Sequence, residues 1–198
     1  AARECLEGGT SRPNEVESPA PEHPVPELNA EHGSQRMPEV LAALAMATHR
    51  ARLGHMVVCT GFRNPALTAK LSSTIDVISG GRLDWGIGAG WYENEYKGYG
   101  FEFPKPKDRI GMLNESVEIV RSMWTQGETN YDGKYYKLSR ANCDPKPLQS
   151  PHPPIWIGGA PGATSQAALR RCAELGDAWR PLALSLDDVE KGYATVRE

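Results

Sequence analysis

Two glycine-rich stretches of the sequence stand where small residues can bring a backbone close to a ligand. The first, Gly86-Ile87-Gly88-Ala89-Gly90-Trp91, closes residues 82–89 (RLDWGIGA), which read as a strand. A dinucleotide-binding Gly-x-Gly-x-x-Gly turn needs a small residue where Trp91 stands and a helix opening there. The indole and the polar loop after it speak against that turn. Two readings stay open: glycines that ease close packing, or a strand end that faces a cofactor in another β/α fold, where ligands bind outside the strand carboxyl ends. The second stretch, Gly158-Gly159-Ala160-Pro161-Gly162-Ala163-Thr164, lies between a strand and a helix. Backbone N–H groups there can approach an anion, with the helix N-terminus and the Thr164 hydroxyl adding to the cradle. Alternatively Thr164 is simply an N-cap. The Lys-Ser/Thr of a nucleoside-triphosphate loop is missing, which argues against ATP hydrolysis.

Between these stretches, Trp91-Tyr92-Glu93-Asn94-Glu95-Tyr96 alternates aromatic and polar residues directly after a strand end. Aromatic faces suit a planar heterocycle, Asn94 suits ring or ribityl oxygens, and Glu93 is a candidate to accept or relay a proton. The competing reading is a helix-entry loop with Tyr96 and Tyr99 buried. His49, His55 and His152 pair with no Ser or Cys in a nucleophile arrangement, and Cys59 reads as a buried structural thiol. No pair of carboxylates can be assigned to glycoside hydrolysis.

The elements that must position these residues change character along the chain. Residues 1–36 hold five prolines, seven glutamates, three arginines and no aromatic residue. Such a segment buries too little apolar surface to offset its ordering entropy, so disorder or loose attachment is expected. The remainder is nearly neutral, the whole chain having a net charge of -3, which argues against a nucleic-acid or polybasic membrane partner. No apolar run reaches the roughly 18 to 20 residues of a bilayer span, and the first residues lack the apolar stretch of a secretory leader. The four cysteines, Cys5, Cys59, Cys143 and Cys172, have neither zinc-ligand nor disulfide-framework spacing, so no metal and a reducing, cytoplasmic setting are expected.

From Met37 onward helix and strand signals alternate, as in parallel sheets with helical crossovers. A helix is expected from Pro38 to about Leu53, ended by Gly54, and then a strand over residues 55–60 (HMVVCT). Asn64-Pro65 opens a second helix that Gly80-Gly81 closes. A loop over residues 91–103 leads to a helix from about Asp108 to Trp124, with Ile110, Leu113, Val117, Val120 and Trp124 as its apolar stripe. Asp132-Gly133 predicts a type I′ hairpin. A strand from Ile155 to Gly158, a helix over about residues 164–175, a strand near residues 178–184 and a capping box at Ser185-x-x-Asp188 complete the chain. The residues beyond 36 are too few for the eight β/α units of a barrel, so the choice lies between a smaller open sheet and part of a barrel.

The motifs FRNPALTAKLSSTIDVISGGRLDWGIGAGWYENEYKGYGFEFP, RIGMLNESVEIVRSMWT with YDGKYY, and PKPLQSPHPPIWIGG followed by GDAW resemble the luciferase-like oxidoreductase family, more closely its coenzyme F420-dependent branch than its FMN-dependent monooxygenases. The resemblance covers about Pro38 to Trp179. It implies a (β/α)8 TIM barrel of α/β class, here a partial one incomplete at both ends, with residues 37–198 as its central portion and residues 1–36 unrelated to it. It also implies coenzyme F420, or alternatively FMN, at the strand carboxyl ends. A non-prolyl cis peptide is expected at Met56-Val57 against the ring, with Tyr92 and Asn94 as further contacts. Gly158, Gly159, Ala160 and Thr164 are expected at the phosphate. The implied activity is hydride transfer between F420 and an organic substrate, with an FMN-dependent monooxygenase or a non-catalytic cofactor-binding fragment as alternatives. A small-molecule substrate and self-association through sheet edges complete the expectation.

Overall fold

The computed structural model describes residues 37–159, 166–181 and 185–197. Along these the chain forms α1 (Met37–Ala47), β1 (Leu53–Gly54), β2 (Val58–Cys59), a 3-10 turn (Thr60–Phe62), α2 (Pro65–Ser79), β3 (Leu83–Gly88), α3 (Glu93–Gly98) and α4 (Pro106–Thr125). A hairpin of β4 (Thr129–Asp132) and β5 (Lys137–Ala141) follows, then β6 (Ile155–Gly159), α5 (Gln166–Leu175), β7 (Ala178–Pro181) and α6 (Leu186–Arg197). The expected segment 1–36 lies outside the described residues.

The parallel sheet runs β1/β2, β3, β6, β7, with β1 and β2 both pairing to β3. Cys59 pairs with Gly88, Ile87 with Ile157, and Gly158 with Arg180, so the carboxyl ends of all these strands lie together. Successive strand residues face opposite sides of a sheet. Trp85, Ile87, Ile155, Ile157 and Trp179 accordingly turn into the helical layer, where Leu113, Val117, Val120, Met123, Trp124, Leu169 and Cys172 complete one core. The indole of Trp124 donates to the Ala69 carbonyl at 3.0 Å, which fixes α4 against α2. The result is one arc of a parallel barrel, a partial (β/α)8 TIM barrel with helices outside and a concave face lined by the alternate residues.

Helix α2 forms as its sequence dictates. Asn64 Oδ1 accepts the Ala66 N–H at 2.9 Å, Pro65 occupies the first turn, and Gly80 adopts the left-handed conformation (φ 68°) that ends the helix. Helix α6 likewise opens on Ser185, whose Oγ accepts the Asp188 N–H and donates to the Asp188 carboxylate.

Four expectations are corrected. Helix α1 ends at Ala47 rather than near Leu53 because Arg82 takes over its terminal carbonyls. The guanidinium donates to Ala45 O and Thr48 O at 2.9 Å and to Ala51 O at 2.7 Å, while its Nε donates to Ser79 O at the end of α2. Leu53 is thereby free to pair with Leu83. Second, HMVVCT is not one strand: residues 55–57 leave the ladder between β1 and β2. Third, the loop over residues 91–103 contains the short helix α3, and Tyr99 is exposed although Tyr96 is buried. Fourth, the hairpin turn is not type I′, since Asp132 pairs with Lys137 across a four-residue loop and neither Asp132 nor Gly133 has a positive φ. Glu115 on α4 is the cause: its carboxylate accepts the N–H groups of Lys134, Tyr135 and Tyr136 at 2.8 to 3.0 Å and draws the loop open onto the helix.

Candidate functional site at the strand carboxyl ends

The Met56–Val57 peptide is cis, and Val57 lies on the concave face against Gly88 and Gly158. The glycines beneath it have no side chain because Val57 and the backbone before it occupy the space. A Cβ on Gly88 would stand 2.7 Å from Val57 Cγ2, and one on Gly158 would stand 3.0 Å from the same methyl. On Gly86 it would meet the His55 carbonyl oxygen at 2.1 Å. Gly86, Gly88 and Gly158 therefore form a floor on which residues 55–57 are seated, so the packing reading of these glycines holds for the side that Val57 covers. Met56, next to it, is 57% exposed.

The loop after β3 is locked to the end of β2. Cys59 Sγ and the Tyr96 hydroxyl lie 3.0 Å apart, both buried. Gly90 turns between them with φ 75°, where an added Cβ would stand 2.5 Å from the sulfur. Phe62 and Phe103 pack on the Tyr96 ring with centroids at 4.5 and 5.0 Å. Arg109 closes the arrangement: its Nε donates to Gly90 O at 3.1 Å and its guanidinium lies over the Phe103 ring at 4.1 Å. Burial pushes the Cys59 thiol above its ordinary value, so it stays protonated and serves packing rather than nucleophilic attack.

Of the residues expected at a cofactor, the structure brings Met56, Val57 and Gly158 together on the concave face, with Gly159 extending β6 beyond them. Tyr92 and Asn94 stand at the entry to α3, half-buried and exposed respectively, beside a 69% exposed Trp91. Glu93 forms an exposed ion pair with Lys97 one turn on, at 2.9 Å. Ala160 and Thr164 lie outside the described residues.

Arg180 and Asp76 were not singled out by the sequence reading, and His55 was read there only as lacking a nucleophile partner. Arg180, paired in register with Gly158, reaches across the concave face and places Nη2 2.7 Å from Met56 Sδ. His55 is 5% exposed, and neither ring nitrogen has a hydrogen-bond partner among the described residues. Burial, with the Arg63 charge adding to it, pushes its pKa down to about 4. Asp76, fully buried in α2, accepts the N–H groups of Leu148 and Gln149 and the Gln149 amide, and so ties the segment before β6 to the helical layer.

Comparisons with known proteins show the family and the fold. Residues 28–198 match the luciferase-like monooxygenase family model, and the chain belongs to that family. It is 32% identical over 128 residues to an FMNH(2)-dependent dimethylsulfone monooxygenase of Pseudomonas putida, covering 65% of this chain and 35% of that protein. It is 36% identical over 122 residues to an F420-dependent glucose-6-phosphate dehydrogenase of Amycolatopsis mediterranei, covering 61% of this chain and 36% of the relative. Among solved structures, the monooxygenase RslO1 from Streptomyces bottropensis superposes with a TM-score of 0.71 at 25% identity, over 81% of this chain and 47% of that one. The coenzyme F420-dependent tetrahydromethanopterin reductase from Methanopyrus kandleri, at 23% identity, shares the fold with a TM-score of 0.69. The chain thus spans about a third of the curated relatives it matches and about half of these solved structures. The family contains both F420- and FMN-dependent oxidoreductases, and no described helix is long and apolar enough to cross a membrane.

Proposed function

We propose that the chain is the cofactor-binding part of an oxidoreductase that transfers a hydride between coenzyme F420 and a small organic substrate. The observation that carries this reading is the seating of residues 55–57 on Gly86, Gly88 and Gly158 at the strand carboxyl ends. Beside that seat Met56 is exposed and Arg180 Nε has no partner among the described residues, in a place where β/α folds hold ligands. A planar, phosphate-bearing cofactor fits these residues: Val57 and Met56 offer an apolar support for a ring, and Gly158–Gly159 bring backbone to the strand end. When bound, the deazaflavin supplies the hydride chemistry.

The protein's own residues orient and shield. Val57, held by the glycine floor, would support the ring. Tyr92 and Asn94 stand at the start of α3, which Tyr96, Cys59 and Arg109 hold in place, and Asn94 would donate to a ring or side-chain oxygen. Gly158, Gly159, Ala160 and Thr164 would hold the phosphate, and Glu93, which pairs with Lys97 here, would be the candidate proton relay. We place the boundary between the N-terminal segment and the barrel portion at residues 36 and 37, where the composition changes.

The second reading is an FMN-dependent monooxygenase, favoured by the Pseudomonas relative. Equilibrium titration of the purified chain with F420 and FMN in one buffer separates the two. Saturable preference for F420 supports the first reading, and preference for FMN with oxygen consumption by the reduced flavin supports the second. A chain that binds either without turnover is a binding protein, and binding of neither removes both enzymes.

A further inference from the structure

We infer that Arg180 is a recognition site for an oxyanion, a carboxylate, phosphate or sulfonate, carried by the substrate. The inference rests on the proposed position of the ring beside Val57 and adds a substrate class to it.

Neighbouring residues decide which way Arg180 points. Trp179 turns into the helical layer, 1% exposed, with its ring 5.2 Å from that of Tyr193 and its edge where a Cβ on Gly192 would stand. Strand alternation puts Arg180 on the opposite, concave face. There its register partner is Gly158, which has no side chain to obstruct the guanidinium stem.

The donors of Arg180 are poorly matched. Nη2 faces the thioether of Met56, a weak acceptor, and Nε is buried without a partner among the described residues. No carboxylate among the described residues forms an ion pair with it. Other arginines of this structure are served within the chain: Arg52 by Asp84, Arg82 by the carbonyls of two helix ends, Arg109 by Gly90 and Pro104, Arg140 by Glu128. A buried guanidinium N–H without an acceptor is costly, so its retention beside an exposed Met56 points to an acceptor that arrives from outside. The planar fork of a guanidinium matches the two oxygens of a carboxylate, phosphate or sulfonate. Because Met56 adjoins Val57, an oxyanion held here lies at the edge of the ring position, where the reacting molecule sits.

The test is calorimetric titration of the full chain with inorganic phosphate at constant ionic strength, for wild type, Arg180→Met and Arg180→Lys, with thermal denaturation to verify folding. Saturable binding is expected in wild type, weakened at least tenfold in Arg180→Met and less in Arg180→Lys. Absence of phosphate binding in wild type, or equal binding in Arg180→Met, overturns the inference. Parallel titrations with FMN, riboflavin and F420 identify the bearer. Affinities within twofold of wild type in Arg180→Met leave the oxyanion to the substrate. A tenfold loss for FMN but not riboflavin assigns it to the cofactor phosphate and overturns the substrate assignment. If no cofactor binds while phosphate binding still depends on Arg180, the arginine site stands and the proposed function falls.

Discussion

Tyr96 places its hydroxyl 3.0 Å from the Cys59 thiol, and that contact ties the end of β2 to the short helix that follows β3. The start of α3, which carries Tyr92 and Asn94, is therefore positioned by β2 as well as by β3. Tyr96→Phe keeps the ring between Phe62 and Phe103 and removes only the hydroxyl, an expected loss of about 1 kcal/mol. Tyr96→Ala also empties the aromatic cluster, at about 4 kcal/mol. Urea denaturation of the two variants checks the order, and equal losses would mean that the ring contributes nothing beyond the hydroxyl.

The floor beneath Val57 yields a coupling that can be measured. Gly88→Ala brings a Cβ to 2.7 Å from a Val57 methyl, and overpacking of that kind costs about 2 kcal/mol. In a Val57→Ala background the same substitution should cost under about 1 kcal/mol, because the methyl it meets is gone. A double-mutant cycle with equal costs in both backgrounds would show that Val57 is not seated on Gly88.

Arg82 holds the ends of two helices at once, donating to Ala45 in the last turn of α1, to Thr48 and Ala51 just after it, and to Ser79 at the end of α2. Arg82→Ala leaves those carbonyls without their donor, and a destabilisation of about 3 kcal/mol is expected. Arg82→Lys, with one point charge in place of a fork, should recover less than half of it. Full recovery in the lysine variant would reduce the role of Arg82 to charge alone.

The sequence legibly specifies α2, because Asn64, Pro65 and Gly80 are local signals that act within a turn of their own backbone. It also shows the helical side of β3, since Trp85 and Ile87 alternate with small residues. What it hides depends on distant partners. The break in HMVVCT is invisible in a continuous β-branched run, and only the empty faces of Gly86, Gly88 and Gly158, far along the chain, make room for it. The hairpin loop opens because Glu115 on α4 captures its N–H groups, and α1 stops short because Arg82 reaches back to it. Helix α3 is too short for periodicity to reveal. Among the candidate site residues, Met56, Val57 and Gly158 are brought together, whereas Arg180 sits in a buried-looking strand where no local pattern marks it.

His55 gives the stability a pH dependence of known sign. Its imidazole is buried beside the Arg63 charge with a pKa of about 4, against about 6.5 in the unfolded chain. The unfolded chain binds the extra proton below pH 6.5, so the contribution is complete above that value and is lost as pH falls towards 4, by up to about 3 kcal/mol. Equilibrium unfolding across this range should show a steeper decline for wild type than for His55→Leu. Parallel curves would mean that the imidazole is not held neutral.

Val57 is proposed to lie against the bound ring, and methyl NMR measures this directly. With valine methyls labelled, and the Val57 signals assigned through Val57→Ile, the chain is titrated with F420 to saturation. Val57 signals should shift strongly while those of Val117 and Val120, buried in the helical layer, stay nearly fixed. Saturable binding that leaves the Val57 methyls unmoved would place the cofactor elsewhere and contradict the account.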